Sequence, residues 1–130
     1  EYLRRTYVCK NQIKKGINGV RDAIQYIKKN YSIALMIDQR VSEGEKVDFF
    51  GKPALTTTLP AQLAIKYGLK IIPVYIERTL NNKFKIEFLN QIDPKEFNNK
   101  KDLTKKLNDN LENMIRKNPN QWIWTHDRWK

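Results

Sequence analysis

The chain has 130 residues, enough for one domain with a real core, and 40% of them are hydrophobic and 11% aromatic, which excludes a disordered polymer. Its net charge of +11 points to an anionic partner: nucleic acid, anionic lipid headgroups, a phosphorylated substrate or an acidic carrier protein, with plain solvation of a Lys- and Asn-rich chain as the bland alternative. The single cysteine, Cys9, excludes an internal disulfide, and one Cys with one His leaves no cluster for structural zinc, so neither a metal nor a cofactor is expected.

In chain order, residues 18–30 read as a helix, with Val20, Ala23, Ile24 and Ile27 on one face and Asn18 as its cap. The continuously apolar run 31–37, "YSIALMI", ends on Asp38 and suits a strand buried on both faces. A long loop follows, with room for a short strand at 47–50. Thr58 is placed to cap a helix starting near Leu59, with Pro60 in its first turn and Gly68 at its end. Residues 69–79 form the next strand, with Pro73 at an edge or bulge. "LNNK" turns the chain into a second strand at 83–90, which alternates with period two. The last long helix runs over 103–117, carries a stripe of Leu103, Leu107, Leu111, Met114 and Ile115, and stops at Pro119.

Helices alternating with apolar strands predict an α/β layered fold: a mostly parallel sheet flanked by helices, with one antiparallel hairpin. No apolar run approaches the ~20 residues of a spanning helix; the best, 33–37 and 71–76, have strand length. Any membrane work by this part is expected at the surface. The opening on Glu1, with no charged-then-apolar leader, suggests a piece of something longer.

In open α/β sheets, chemistry collects at the carboxyl ends of the strands. Asp38 stands at such an end, either as a turn cap or as a carboxylate on the floor of a cleft. The loop beyond it adds Arg40, Gly44 and Phe49-Phe50-Gly51. Adjacent aromatics in a strand point to opposite faces, so either one ring enters the core while the other lines a greasy pocket, or both are core. Thr56, Thr57 and Thr58 precede a helix N-terminus, where they form a plain cap and turn or receive an anion. The sole histidine, His126, lies among Trp122, Trp124, Arg128, Trp129 and Lys130, and adjacent Asp127 is badly placed to orient it. That segment reads as a membrane-interface foot or a packing clasp rather than a catalytic centre. There is no Gly-x-Ser-x-Gly, P-loop or dinucleotide fingerprint.

Taken together, Asp38-Gln39, Glu43-Gly44, "FFG" at 49–51, "TTTLPAQLA" at 56–64, "KYG" at 66–68, "IIPVYIER" at 71–78 and the terminal "NPNQWIWTHDRWK" resemble the bacterial lipid A biosynthesis lauroyl/myristoyl acyltransferases. The stretch 14–39 is similar to the approach to that block. The resemblance spans nearly the whole chain. It implies a glycerolipid acyltransferase-like fold, incomplete at its N-terminus. The implied reaction moves an acyl chain from acyl carrier protein to a hydroxyl of a phosphorylated glucosamine lipid, at the cytoplasmic face of the cell inner membrane.

The superfamily's catalytic pair is a histidine followed five positions later by an acid, and it is absent here: five positions beyond His126 would be 131. The resemblance places that pair, and a membrane anchor, upstream. It therefore implies that 1–130 is the C-terminal part of a single acyltransferase domain, inactive alone. Carried over are Asp38 as a supporting catalytic residue, and Arg4, Arg5, Gln39, Arg40, Gly44, Phe49, Phe50, Gly51, Thr56, Thr57, Thr58 and Pro60 as substrate-binding residues. The expected partners are acyl carrier protein, the lipid A precursor and an anionic inner-membrane surface. Two alternatives stand beside this reading. One is an acyltransferase of the same superfamily acting on another membrane lipid or glycolipid. The other is a basic nucleic-acid-binding module, which explains the charge but lacks any helix-turn-helix, RNP or finger signature.

Overall fold

The structure is a computed structural model that describes residues 2–14 and 16–130, with the side chains of Tyr2, Arg4 and Arg5 outside the description. It divides into two units, Glu1–Leu35 and Met36–Lys130.

The first unit holds α1 (Tyr2–Val8) and α2 (Ile17–Lys28). In α2 the expected periodicity is realised: Gly19, Ala23 and Ile27 are buried at i, i+4 and i+8. Asn18 does not cap this helix. It lies inside the first turn, and Gly16 occupies the cap position without a side-chain bond.

The second unit is built on α4 (Lys100–Lys117). Asn99 starts it by accepting from the N–H groups of Lys101 and Asp102, the bonding expected of an N-cap. Its stripe serves two clusters. Leu103 and Leu107 pack with Ala61 and Ala64 of α3 (Leu59–Tyr67) and with Ile92, while Ile37, Leu69, Ile71 and Phe97 close the periphery. One to three turns further along, Leu111 and Ile115 pack with Phe49, Ala54, Phe50, Trp122 and Trp129. In α3, Pro60 sits in the first turn and Gly68 ends the helix at φ +64°, as the sequence suggested.

Four strands complete the unit. β1 (Glu45–Phe49) pairs antiparallel with β2 (Lys52–Thr56), with Glu45 opposite Thr56 and Phe49 opposite Lys52. β3 (Val74–Arg78) pairs antiparallel with β4 (Phe84–Phe88), with Val74 opposite Phe88 and Arg78 opposite Phe84. Between β3 and β4 the chain turns through Asn81 and Asn82, both left-handed. Pro73 separates the β3–β4 ladder from an isolated Ile71–Ile92 bridge, which is the interruption expected of a proline in a strand run.

The expected layered, mostly parallel sheet is therefore wrong. Among the described residues there are two separate antiparallel pairs and four α-helices, a small α+β fold. The error traces to residues 31–37, which form no strand. Tyr31, Leu35 and Met36 are exposed, Met36 at 86%. An apolar run reports a preference for burial and does not supply a hydrogen-bonding neighbour. Each strand that does form finds its neighbour through a short turn, and a short turn permits only antiparallel pairing.

Candidate functional site

The β1–β2 turn is where the sequence reading of the two phenylalanines changes. Phe49 ends β1, but Phe50 and Gly51 are the two residues of the turn, at φ +53° and +75°. Two successive positive φ values make the tight hairpin turn whose twist matches its strands. Glycine takes this conformation freely; a bulky residue in it costs about 1–2 kcal/mol. Phe50 is held there by its neighbours. Its N–H donates to Glu112 Oε1 at 2.8 Å, and the Arg116 guanidinium lies 4.8 Å from its ring centre. Trp124 and Trp129 lie within 6.5 Å of it. Phe49 is fully buried, 5.6 Å from Trp129 and 6.0 Å from Trp122, so one ring is core and the other half-exposed.

The C-terminal segment closes over this hairpin. Trp129 Nε1 donates to the Phe49 carbonyl at 3.0 Å, and Trp124 Nε1 to the Pro119 carbonyl at 2.7 Å. Of the two readings left open for this segment, the packing clasp describes Trp122 and Trp129. His126 is exposed. Asp127 Oδ1 accepts from the Trp129 N–H, so this acid is engaged with a turn rather than with the imidazole.

Beneath the clasp lies a buried polar cluster. Thr56 and Arg128 are at most 2% exposed, and Asn108 is fully buried. Arg128 donates from Nη1 to the Leu55 carbonyl at 2.5 Å and from Nη2 to Thr56 Oγ1 at 2.8 Å, with the Phe49 ring centre 5.3 Å from its guanidinium. Asn108 Nδ2 donates to the Asp48 carbonyl at 2.8 Å and reaches Thr56 Oγ1 at 3.4 Å. Burial pushes the Arg128 pKa down from its ordinary value, and the negative charge of Asp38 opposes that shift.

Asp38 is brought to this cluster by its neighbours. Ile37 packs on the α3–α4 core just before it, and Val41 N–H donates to the Leu55 carbonyl at 3.3 Å just after it. The carboxylate is half-buried, and Oδ1 is enclosed without a protein partner. Gly44 completes the approach. A Cβ there would stand 2.6 Å from the Thr56 carbonyl oxygen, closer than real side chains come, so the loop can lie this close to β2 only with glycine.

The remaining expected residues scatter. Arg40 donates to Ser42 Oγ at 3.3 Å and Gln39 is exposed. Thr57 Oγ1 accepts from the Leu59 N–H and Thr58 Oγ1 from Gln62 Nε2, so both hydroxyls are engaged within the start of α3, with Pro60 beside them. Arg4 and Arg5 lie on α1, with side chains outside the described residues. A surface depression of about 560 Å³ is bordered by Glu87, Leu89, Ile92, Phe97 and Lys106, and none of the expected site residues lines it.

Sequence reasoning missed Arg128, Asn108 and Glu112. Asn108 carries a readable signal: with Thr104 it interrupts the buried stripe of α4, and a polar residue on an apolar stripe needs a buried partner. Arg128 has no comparable signal in the sequence. Among the described residues, no helix is long and apolar enough to cross a membrane, and no three His, Cys, Asp or Glu residues group as for a metal ion.

The description "Bacterial lipid A biosynthesis acyltransferase" belongs to the protein family that matches this chain, over residues 5–130. No curated protein matches it.

Proposed function

The chain belongs to the bacterial lipid A biosynthesis acyltransferase family, and on that premise we propose that residues 1–130 are the C-terminal part of a single acyltransferase domain. The activity class is acyl transfer in lipid A biosynthesis. In the proposed reaction, an acyl chain passes from the thioester of acyl carrier protein to a hydroxyl of a phosphorylated glucosamine lipid, at the cytoplasmic face of the inner membrane. The general base is a histidine supplied from outside this chain, which is inactive alone.

The observation that carries the site is Asp38: a carboxylate with one oxygen enclosed and unpartnered, on a strip of chain whose Val41 N–H bonds the same Leu55 carbonyl as the buried Arg128. It stands where segment 38–44 crosses the Phe49-to-Thr56 hairpin. A carboxylate held this way can orient a base or receive a hydroxyl proton in a hydrogen bond. Phe50, half-exposed at the hairpin tip, supplies apolar surface for the acyl chain. The excess of Lys and Arg suits the lipid phosphates and an acidic carrier. On β3 and β4, Val74, Ile76, Phe84, Ile86 and Phe88 are exposed, and an apolar row of this kind supports the assignment to a larger domain.

The test is Asp38→Ala in the intact enzyme, assayed with an acyl-carrier thioester and a phosphorylated glucosamine lipid. Turnover should fall about a hundredfold or more, with the melting point little changed. Near-normal turnover would remove Asp38 from the site. Transfer to a glycerophosphate acceptor in preference to the glucosamine lipid would replace the proposed substrate.

A further inference from the structure

Arg128 is more deeply buried than its chemistry alone would favour. Taking a guanidinium out of water is costly unless an anion meets it. Among the described residues no carboxylate forms an ion pair with it. Its Nη donors go to neutral acceptors, the Leu55 carbonyl and Thr56 Oγ1, and Nε is enclosed without a protein partner. An apolar side chain of the same length would fill the space without the desolvation cost, so stability is a weak reason for an arginine here.

The bonds it makes suggest a different reason. The Leu55 carbonyl that accepts from Nη1 also accepts from the N–H of Val41, three residues after Asp38. One guanidinium thus braces β2 and the face of Phe49, and it does so at the carbonyl on which the strip of chain carrying Asp38 also rests. We propose that Arg128 is a positioning residue for acyl transfer: by holding the Leu55 carbonyl that also receives the Val41 N–H, it fixes the course of residues 38–41 against β2. This rests on the reading of Asp38 given above.

The experiment is a double-mutant cycle in the intact enzyme with Arg128→Met and Asp38→Asn, reading kcat and KM for both substrates. Arg128→Met should lower kcat about ten- to a hundredfold, leave both KM values within about twofold, and be partly restored by Arg128→Lys. In the Asp38→Asn background it should cause no further loss, because the residue it positions is already gone. A purely structural arginine would lower activity in both backgrounds alike. Normal turnover in Asp38→Asn would overturn the reading of the site itself. A slow Asp38→Asn combined with a normal Arg128→Met, or with losses that multiply, would overturn the positioning role alone. If Arg128→Met does not fold, Thr56→Val, which deletes the acceptor of Nη2, takes its place in the cycle: no further loss beside Asp38→Asn supports the positioning role, and losses that multiply overturn it.

Discussion

Phe49→Ala is the perturbation that best separates packing from substrate contact in the hairpin. The ring is fully buried among Trp122, Trp129, Ala54 and Ile115, with the Arg128 guanidinium 5.3 Å from its centre. Truncating a buried Phe to Ala typically costs 3–5 kcal/mol, the lost transfer energy plus the cavity. The Trp129 indole bond is made to the Phe49 carbonyl and survives the change, so the loss isolates the ring. At about 2–4 °C per kcal/mol for a domain of roughly 150–250 residues, the melting point should fall by roughly 6–20 °C. Phe49→Leu, which refills most of the volume, should recover most of it. The assay is thermal unfolding of the intact enzyme, paired with acyl-chain preference measured across a series of acyl-carrier thioesters below the transition. A shift of less than about 2 °C, or an altered chain-length preference at unchanged stability, would refute the placement of Phe49 in the core.

Phe50→Gly should do the opposite: stability falls little, because relief of the left-handed strain partly offsets the lost ring contacts, while the preferred acyl length changes in the same thioester series. Gly44→Ala should cost about 1–3 kcal/mol in a urea titration, since its Cβ cannot share space with the Thr56 backbone.

Helices α2, α3 and α4 were legible because their signals are local, whereas α1 was not foreseen. The stripes of α2 and α4 survive into the structure, and the Pro60 and Gly68 boundaries of α3 fall where backbone chemistry demands. The alternation of "KFKIEF" and the Asn-Asn turn before it were legible for the same reason. What failed was non-local. Residues 31–37 carry the composition of a central strand, but a strand exists only where another lies alongside, and the sequence does not state which one. The hairpin turn was missed because phenylalanine is a poor residue for a left-handed turn. It is tolerated here only through Glu112, sixty-two positions away. Arg128 was missed because burial of a cation depends on carbonyls and hydroxyls seventy-odd residues upstream.

One contrast ties the fold to the proposed site. The second unit buries Arg128, Asn108 and three threonines, Thr56, Thr58 and Thr104, yet leaves a row of large apolar side chains in the open. Val74, Ile76, Phe84, Ile86 and Phe88 share one face of the β3–β4 pair, since Val74 faces Phe88 and Ile76 faces Ile86 across the ladder. They are 42%, 59%, 60%, 57% and 72% exposed. Covering them would add on the order of 1–2 kcal/mol per residue. Summed over the row, that is comparable with the whole stability of a typical domain, about 5–15 kcal/mol. Period-two alternation puts Tyr75, Glu77, Lys85 and Glu87 on the other face, so the apolar row is specified by the sequence and is not an accident of one register. A sheet that keeps one face apolar over its whole length is built to be covered, because domains are stable only as packed layers that share one core.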